Sequence, residues 1–169
     1  CGDWQFRQAS SEQWLPATVP GCNFTDLLAN GLIDDPFYRD NESHLQWIER
    51  QDWHYQKRFN LGRDWWKNAD IQLMAEGLDT FCELYLNGHK LAEGRNMFVG
   101  QRISCKSLLI EGENLLEVRF RSPINETMPA FLQAGFAYPA ENDKSQEKLS
   151  VYCRKAPCHF GWDWGPRFV

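Results

Sequence analysis

Residues 81–91, FCELYLNGHKL, constrain the fold more than any other stretch of the chain. Apolar and polar residues alternate on both sides of Asn87-Gly88, and this dipeptide tolerates the positive φ angles of a tight type I′ turn, so the segment predicts a β-hairpin. The same period of two recurs in WQFRQ (4–8), in QDWHYQKRF (51–59), where Trp53, Tyr55 and Phe59 share a face, and in DIQLMAE (70–76). It returns in LEVRFR (116–121), with Leu116, Val118 and Phe120 directed inward, after a tight turn expected at EGEN (111–114). At least seven short strands separated by turn residues predict an all-β sandwich or barrel, whose topology periodicity does not specify. One short helix is expected at NFTDLLANG (23–31), ended by Gly31, and KSLLI (106–110) adds a turn. Between Pro123 and Lys148 the strand pattern fails, and PAENDKSQEK (139–148) reads as an exposed loop.

The 169 residues fit one domain, 1–169, with a single core. Eighteen basic and 23 acidic residues are mixed along the chain, which argues against nucleic acid or an anionic membrane as partner. No stretch approaches the ~18 consecutive apolar residues of a membrane span, and the N-terminus lacks a signal-peptide pattern. Cys1 is not read as a lipid anchor, because Trp4 and Phe6 already look like strand residues. The six cysteines are too sparse for a disulfide scaffold; most read as small buried hydrophobes, with a Cys153–Cys158 bridge left open.

Candidate sites compete with plainer roles. Asp34 and Asp35 precede Pro36 in a turn, and Glu111 and Glu113 belong to the EGEN turn, so neither pair reads as the two carboxyls of a glycosidase. The cluster Cys153, Cys158 and His159 lacks the second half of a zinc site, and neither a metal nor a cofactor is implied. GWDWGP (161–166) is different. In an extended segment Trp162 and Trp164 point one way and Asp163 the other. A carboxylate held between glycines and a proline can accept strong hydrogen bonds from two neighbouring hydroxyls. The residues alone leave a sugar site and a structural corner equally open.

Four stretches together resemble the N-terminal domain of the β-mannosidases of glycoside hydrolase family 2: VPGCNFTDLLANGLIDDPFYRDNESHLQWIERQDWHYQKRF, EGLDTFCELYLNGHKLAEGRNMF, EGENLLEVRFRSPI and RKAPCHFGWDWGPRF. The likeness runs over nearly the whole chain. LDT…LYLNG and EGENLLEVRF look like family 2 enzymes generally, whereas DPFY…NE…QWI and FGWDWGPR look specific to the β-mannosidase branch.

The resemblance implies a jelly-roll β-sandwich of the galactose-binding-like type lying against a catalytic (β/α)8 barrel. Such a barrel needs ~250 further residues and supplies both catalytic glutamates in the family, so this chain is expected to hold no catalytic residue of its own. It further implies that Asp163 binds sugar hydroxyls, that Trp162 lines the pocket, that Trp164 is a further substrate-binding position with core packing as its larger share, and that Asn96 of the GRNMF loop lies near the subsite. Arg154, Lys155 and Arg167 would form the ionic frame of the loop, and Gly21, Pro36 and Trp47 would serve turns and packing.

The implied partners are β-mannoside oligosaccharides and the barrel itself. Family membership favours a periplasmic, extracytoplasmic or lysosome-like setting. The alternatives are an autonomous carbohydrate-binding module, the corresponding domain of a β-galactosidase or β-glucuronidase, and a scaffold whose Trp-Asp-Trp loop is a buried corner.

Overall fold

The computed structural model describes residues 3–163 and 165–169; Cys1, Gly2 and Trp164 lie outside the described residues. Eight strands occur among them: β1 (Trp4–Gln8), β2 (Leu15–Ala17), β3 (Trp53–Leu61), β4 (Gln72–Ala75), β5 (Phe81–Leu86), β6 (His89–Gly94), β7 (Gln101–Ser104) and β8 (Gly112–Arg121). Six form an antiparallel sheet in the order β2-β1-β3-β8-β5-β6, and β4 pairs with β7 separately. The period-two pattern explains the layering. Phe6 pairs with Tyr55, Tyr55 with Val118, and Val118 with Leu84, so four strands place one buried side chain each in a row across the sheet. Leu73, Ala75 and Ile103 of the β4–β7 pair pack against the same core, which closes a β-sandwich. Each such side chain taken from water contributes about 1.5–3 kcal/mol.

The hairpin expected at Asn87-Gly88 is present between β5 and β6, with φ of 51° and 81°. The helix expected near residue 23 is α1 (Asn23–Ala29), and Gly31 follows it at φ 67°. The chain also forms α2 (Asn41–His44) and the twelve-residue α3 (Pro123–Ala134). α3 occupies a region where the strand pattern merely fails. Ser122 caps it by accepting a hydrogen bond from Asn125 N (3.1 Å), Pro123 starts it, and Gly135 ends it at φ 75°. Pro129 inside the helix removes one backbone donor and obscures the pattern.

Two other expectations are refined. Residues 139–148 form no helix or strand, but the stretch is not wholly exposed, because Asp143 within it is fully buried. Cys153 and Cys158 are both free thiols, Cys153 buried and Cys158 exposed, so the bridge is not formed. Cys82 and Cys105 are buried small hydrophobes as expected, whereas Cys22 is exposed.

Among the described residues, 150–169 carry no strand. Phe81, Cys153 and Phe160 form a small core of their own, joined by Val169, which ties this segment to the first residue of β5.

Candidate functional site

The site is built on a loop whose two ends are tied together. A 3-10 turn, Pro157–Phe160, drives the Phe160 ring into the core at 1% exposure. Gly161 follows at φ 131°, where a Cβ would lie 2.9 Å from the Asn142 carbonyl, so both the conformation and the space require glycine. After the loop the chain returns: Phe168 N donates to the His159 carbonyl (2.9 Å), and Arg167 Nη1 donates to the Phe160 carbonyl (3.1 Å).

Arg167 is the pivot of this closure. Its guanidinium meets Glu49 through two nitrogens (3.1 and 3.2 Å) and the buried Asp143 through a third (2.9 Å). Its backbone N–H donates to Glu42 Oε1 and its carbonyl accepts from Gln46 Nε2 (3.2 Å). Burial pushes the Glu49 carboxyl up, and Arg167 only partly offsets this. Burial also acts on Asp143, but hydrogen bonds from Ser145 and Ser150, with Arg167 beside it, outweigh it and hold that carboxyl down. The loop thus stands on a charge cluster drawn from α2, the Ile48–Arg50 turn and the 139–148 stretch.

A cleft of about 370 Å³ opens beside it, lined by Trp162, Gly165 and Pro166 from the loop, with Cys158 and His159 before it and Phe168 and Phe37 at its far wall. Phe168 packs against Phe24 of α1 in a tilted pair (4.6 Å between centroids, 36° between planes) and meets Phe37 edge-on (5.6 Å), while Phe37 itself is 75% exposed. Trp162 is half-buried, with its carbonyl accepting from Lys144 Nζ (2.9 Å), and Asp163 is exposed. Trp162 and Asp163 differ in exposure, with the backbone bent at Asp163 rather than extended; the role expected of Trp164 lies outside the described residues.

Asn96 is half-buried in the loop after β6 and forms a parallel bridge with Arg154. Its Oδ1 accepts from Phe98 N (3.0 Å), and Met97 N donates to the Arg154 carbonyl (3.0 Å). The Asn96 loop and the 161–166 loop thus hang on one segment, 153–160. Asp34 and Asp35 line a separate open cleft of about 420 Å³ with Tyr38 and Asn41, and Asp35 Oδ1 accepts from Phe37 N (2.9 Å), a turn role. Glu111 and Glu113 pair at the surface with Arg63 and Arg58 (both 2.8 Å). Of the ionic frame expected of Arg154, Lys155 and Arg167, Lys155 pairs with Asp79 and Arg167 with Glu49 and Asp143, whereas Arg154 is exposed and takes part through its backbone and in no ion pair among the described residues; Glu49, Asp143 and Asp79 carry no signal in the sequence that separates them from other acids.

The cleft offers aromatic walls on which a ring-shaped ligand can stack, but neither Asp163, which follows Trp162 in the chain and is exposed, nor Asn96 is among the residues that line it. The family model "Glycosyl hydrolase 2 galactose-binding domain-like" matches residues 4–169. The chain belongs to this family. It is 34% identical over 174 residues to the beta-mannosidase of Bos taurus, a match that covers 99% of this chain and 19% of that protein. The crystal structure of beta-D-mannosidase from Dictyoglomus thermophilum matches at 44% identity with a TM-score of 0.89, covering 98% of this chain and 20% of the other. A beta-D-glucuronidase structure from Dictyoglomus thermophilum shares the fold at 20% identity and a TM-score of 0.53, over 72% of this chain and 19% of that one. The domain is therefore the galactose-binding-like sandwich of a β-mannosidase-like family 2 protein, and it spans about a fifth of the length of the curated relatives it matches.

Proposed function

We propose that this domain is the non-catalytic N-terminal part of an exo-acting, retaining β-mannosidase, and that its 161–166 loop completes the subsite for the terminal mannose in a following (β/α)8 barrel. Both catalytic glutamates belong to the barrel, the substrates are β-mannoside oligosaccharides, and the sandwich contacts the barrel within one polypeptide. The observation that carries the reading is the open cleft that Trp162 lines: Asp163, the next residue, is exposed and outside the lining, so it is available to a pocket wall that another domain supplies. An isolated sugar site encloses most of its ligand, and this one does not. Phe37, 75% exposed at the rim, is apolar surface suited to cover by another domain.

Asp163→Ala in the full-length protein tests the role. Loss of two charge-assisted hydrogen bonds lowers kcat/KM on an aryl β-mannoside by on the order of a hundredfold, with the melting temperature unchanged. A lowered melting temperature with unchanged turnover would instead make the loop a structural corner. A full-length protein that prefers an aryl β-glucuronide or β-galactoside would place it with the sibling enzymes.

A further inference from the structure

The Lys155–Asp79 pair of the ionic frame also reaches a residue of the cleft, His159. Asp79, just before β5, accepts from the Lys155 ammonium at 2.6 Å on Oδ2 and from the Thr80 hydroxyl on Oδ1. Lys155 is 5% exposed, a depth at which an ammonium is found only with a partner. The same Asp79 Oδ2 lies 3.4 Å from His159 Nδ1, an ion-pair distance, long for a hydrogen bond. That nitrogen is withdrawn from solvent and makes no hydrogen bond among the described residues, so the Asp79 carboxylate acts on it by charge at this distance, yet 35% of the His159 side chain remains exposed and lines the cleft. The ring therefore has one buried nitrogen near a carboxylate, and the residue shares the cleft lining with Trp162.

We propose that His159 is a sugar-contacting residue of this cleft: Asp79, fixed by Lys155, keeps the proton of the neutral imidazole on Nδ1, and Nε2 is left to accept a hydrogen bond from a sugar hydroxyl. The inference rests on the sugar-cleft reading above. A neutral imidazole has one donor nitrogen and one acceptor, and the group beside one nitrogen decides which is which. Asp79 and Lys155 act through His159 and are positioning residues. The ligand class is a pyranoside with a free hydroxyl at the Trp162 side of the cleft. Backbone contacts at both ends of the segment, His159 N to the Ala156 carbonyl (3.0 Å) and Phe168 N to the His159 carbonyl (2.9 Å), hold the ring's origin in place.

Two substitutions separate binding from support. The amide of asparagine reaches the place of Nδ1, and that of glutamine the place of Nε2. In the full-length protein His159→Asn keeps the Asp79 contact and loses the hydroxyl contact. It is expected to lower kcat/KM on para-nitrophenyl β-mannoside about tenfold, mainly through KM, while His159→Gln keeps activity within about threefold of the parent. Unchanged kinetics in His159→Asn, or equal losses in both variants with a parental melting temperature, overturn the inference. Should both variants melt low, histidine-selective nitrogen labelling of the parent decides: the His159 Nε2 resonance shifts on adding methyl β-mannoside, and its failure to shift overturns the inference. Asp163→Ala in the same assay keeps the two questions apart. If Asp163→Ala lowers kcat/KM and His159→Asn does not, the cleft reading stands and this inference falls; if Asp163→Ala changes nothing, the cleft reading itself fails.

Discussion

Asp79 shows how single residues of this domain balance burial against pairing. Burial pushes its carboxyl up, but the His159 ring, the Lys155 ammonium and the Thr80 hydroxyl outweigh that and hold it at about 2, below the ordinary 3.8. A carboxyl lower in the folded state than in the unfolded chain contributes stability that is complete above the unfolded value and is lost as pH falls through the folded one. That contribution, about 2 kcal/mol, should disappear between 3.8 and about 2. Glu49 has the opposite sign: burial raises it, so its contribution is present below the ordinary 4.5 and fades as pH rises through the raised value. Asp79→Asn removes the anion and leaves a 5%-exposed ammonium without its counter-charge, which costs about 3 kcal/mol at neutral pH. Urea unfolding from pH 7 to pH 2 checks both statements. The variant should begin less stable and lose the limb below 3.8, and a variant whose curve parallels the parent's would show that Asp79 does not carry the acid dependence.

At the scale of elements, the turns are held by side chains that reach between strands. Asn114, 1% exposed at the start of β8, accepts from Ile110 N and Asn87 Nδ2 (both 2.9 Å) and donates to the carbonyls of Ile110 (2.8 Å) and Gly112 (3.0 Å). It joins the EGEN turn to the Asn87-Gly88 hairpin. Asn114→Ala abandons buried backbone groups at once and should cost about 2–3 kcal/mol in denaturant unfolding. Asn114→Asp should cost no less, because a carboxylate would face two carbonyls it cannot donate to; a neutral Asn114→Asp would show that these bonds do not hold the turns.

The elements also differ in how legible they are. Strands β1, β3, β5 and β8 were readable because Phe6, Tyr55, Leu84 and Val118 obey a strict period of two that burial on one face enforces. α3 was not, although Ser122, Pro123 and Gly135 mark its ends, because Pro129 and its mixed composition leave no clear apolar stripe. At the site, Trp162 and Asp163 stand out as a local motif, whereas Asp79, Glu49 and Asp143 reach Lys155 and Arg167 across 76, 118 and 24 positions of sequence. Pairings of that length depend on the tertiary fold, and no local pattern encodes them.

For the whole molecule, the open cleft and the braced loop make different demands on affinity. Arg167 and its three carboxylate partners fix the chain where it leaves the loop before any ligand arrives, which lowers the ordering cost that opposes binding. One carboxylate and one indole wall can nonetheless contribute only a few kcal/mol, against a comparable cost of immobilising a sugar, which sets the expected dissociation constant of the isolated domain for mannose at about 1 mM or weaker. Following the indole N–H signals of the 169-residue chain during a mannose titration measures this directly, with Asp163→Ala as control. Silence into the tens of millimolar is the outcome expected of a loop that finishes another domain's pocket. Saturation well below about 1 mM that vanishes in Asp163→Ala would require the open side of the cleft to be closed within this domain, and the chain would then be a carbohydrate-binding module in its own right.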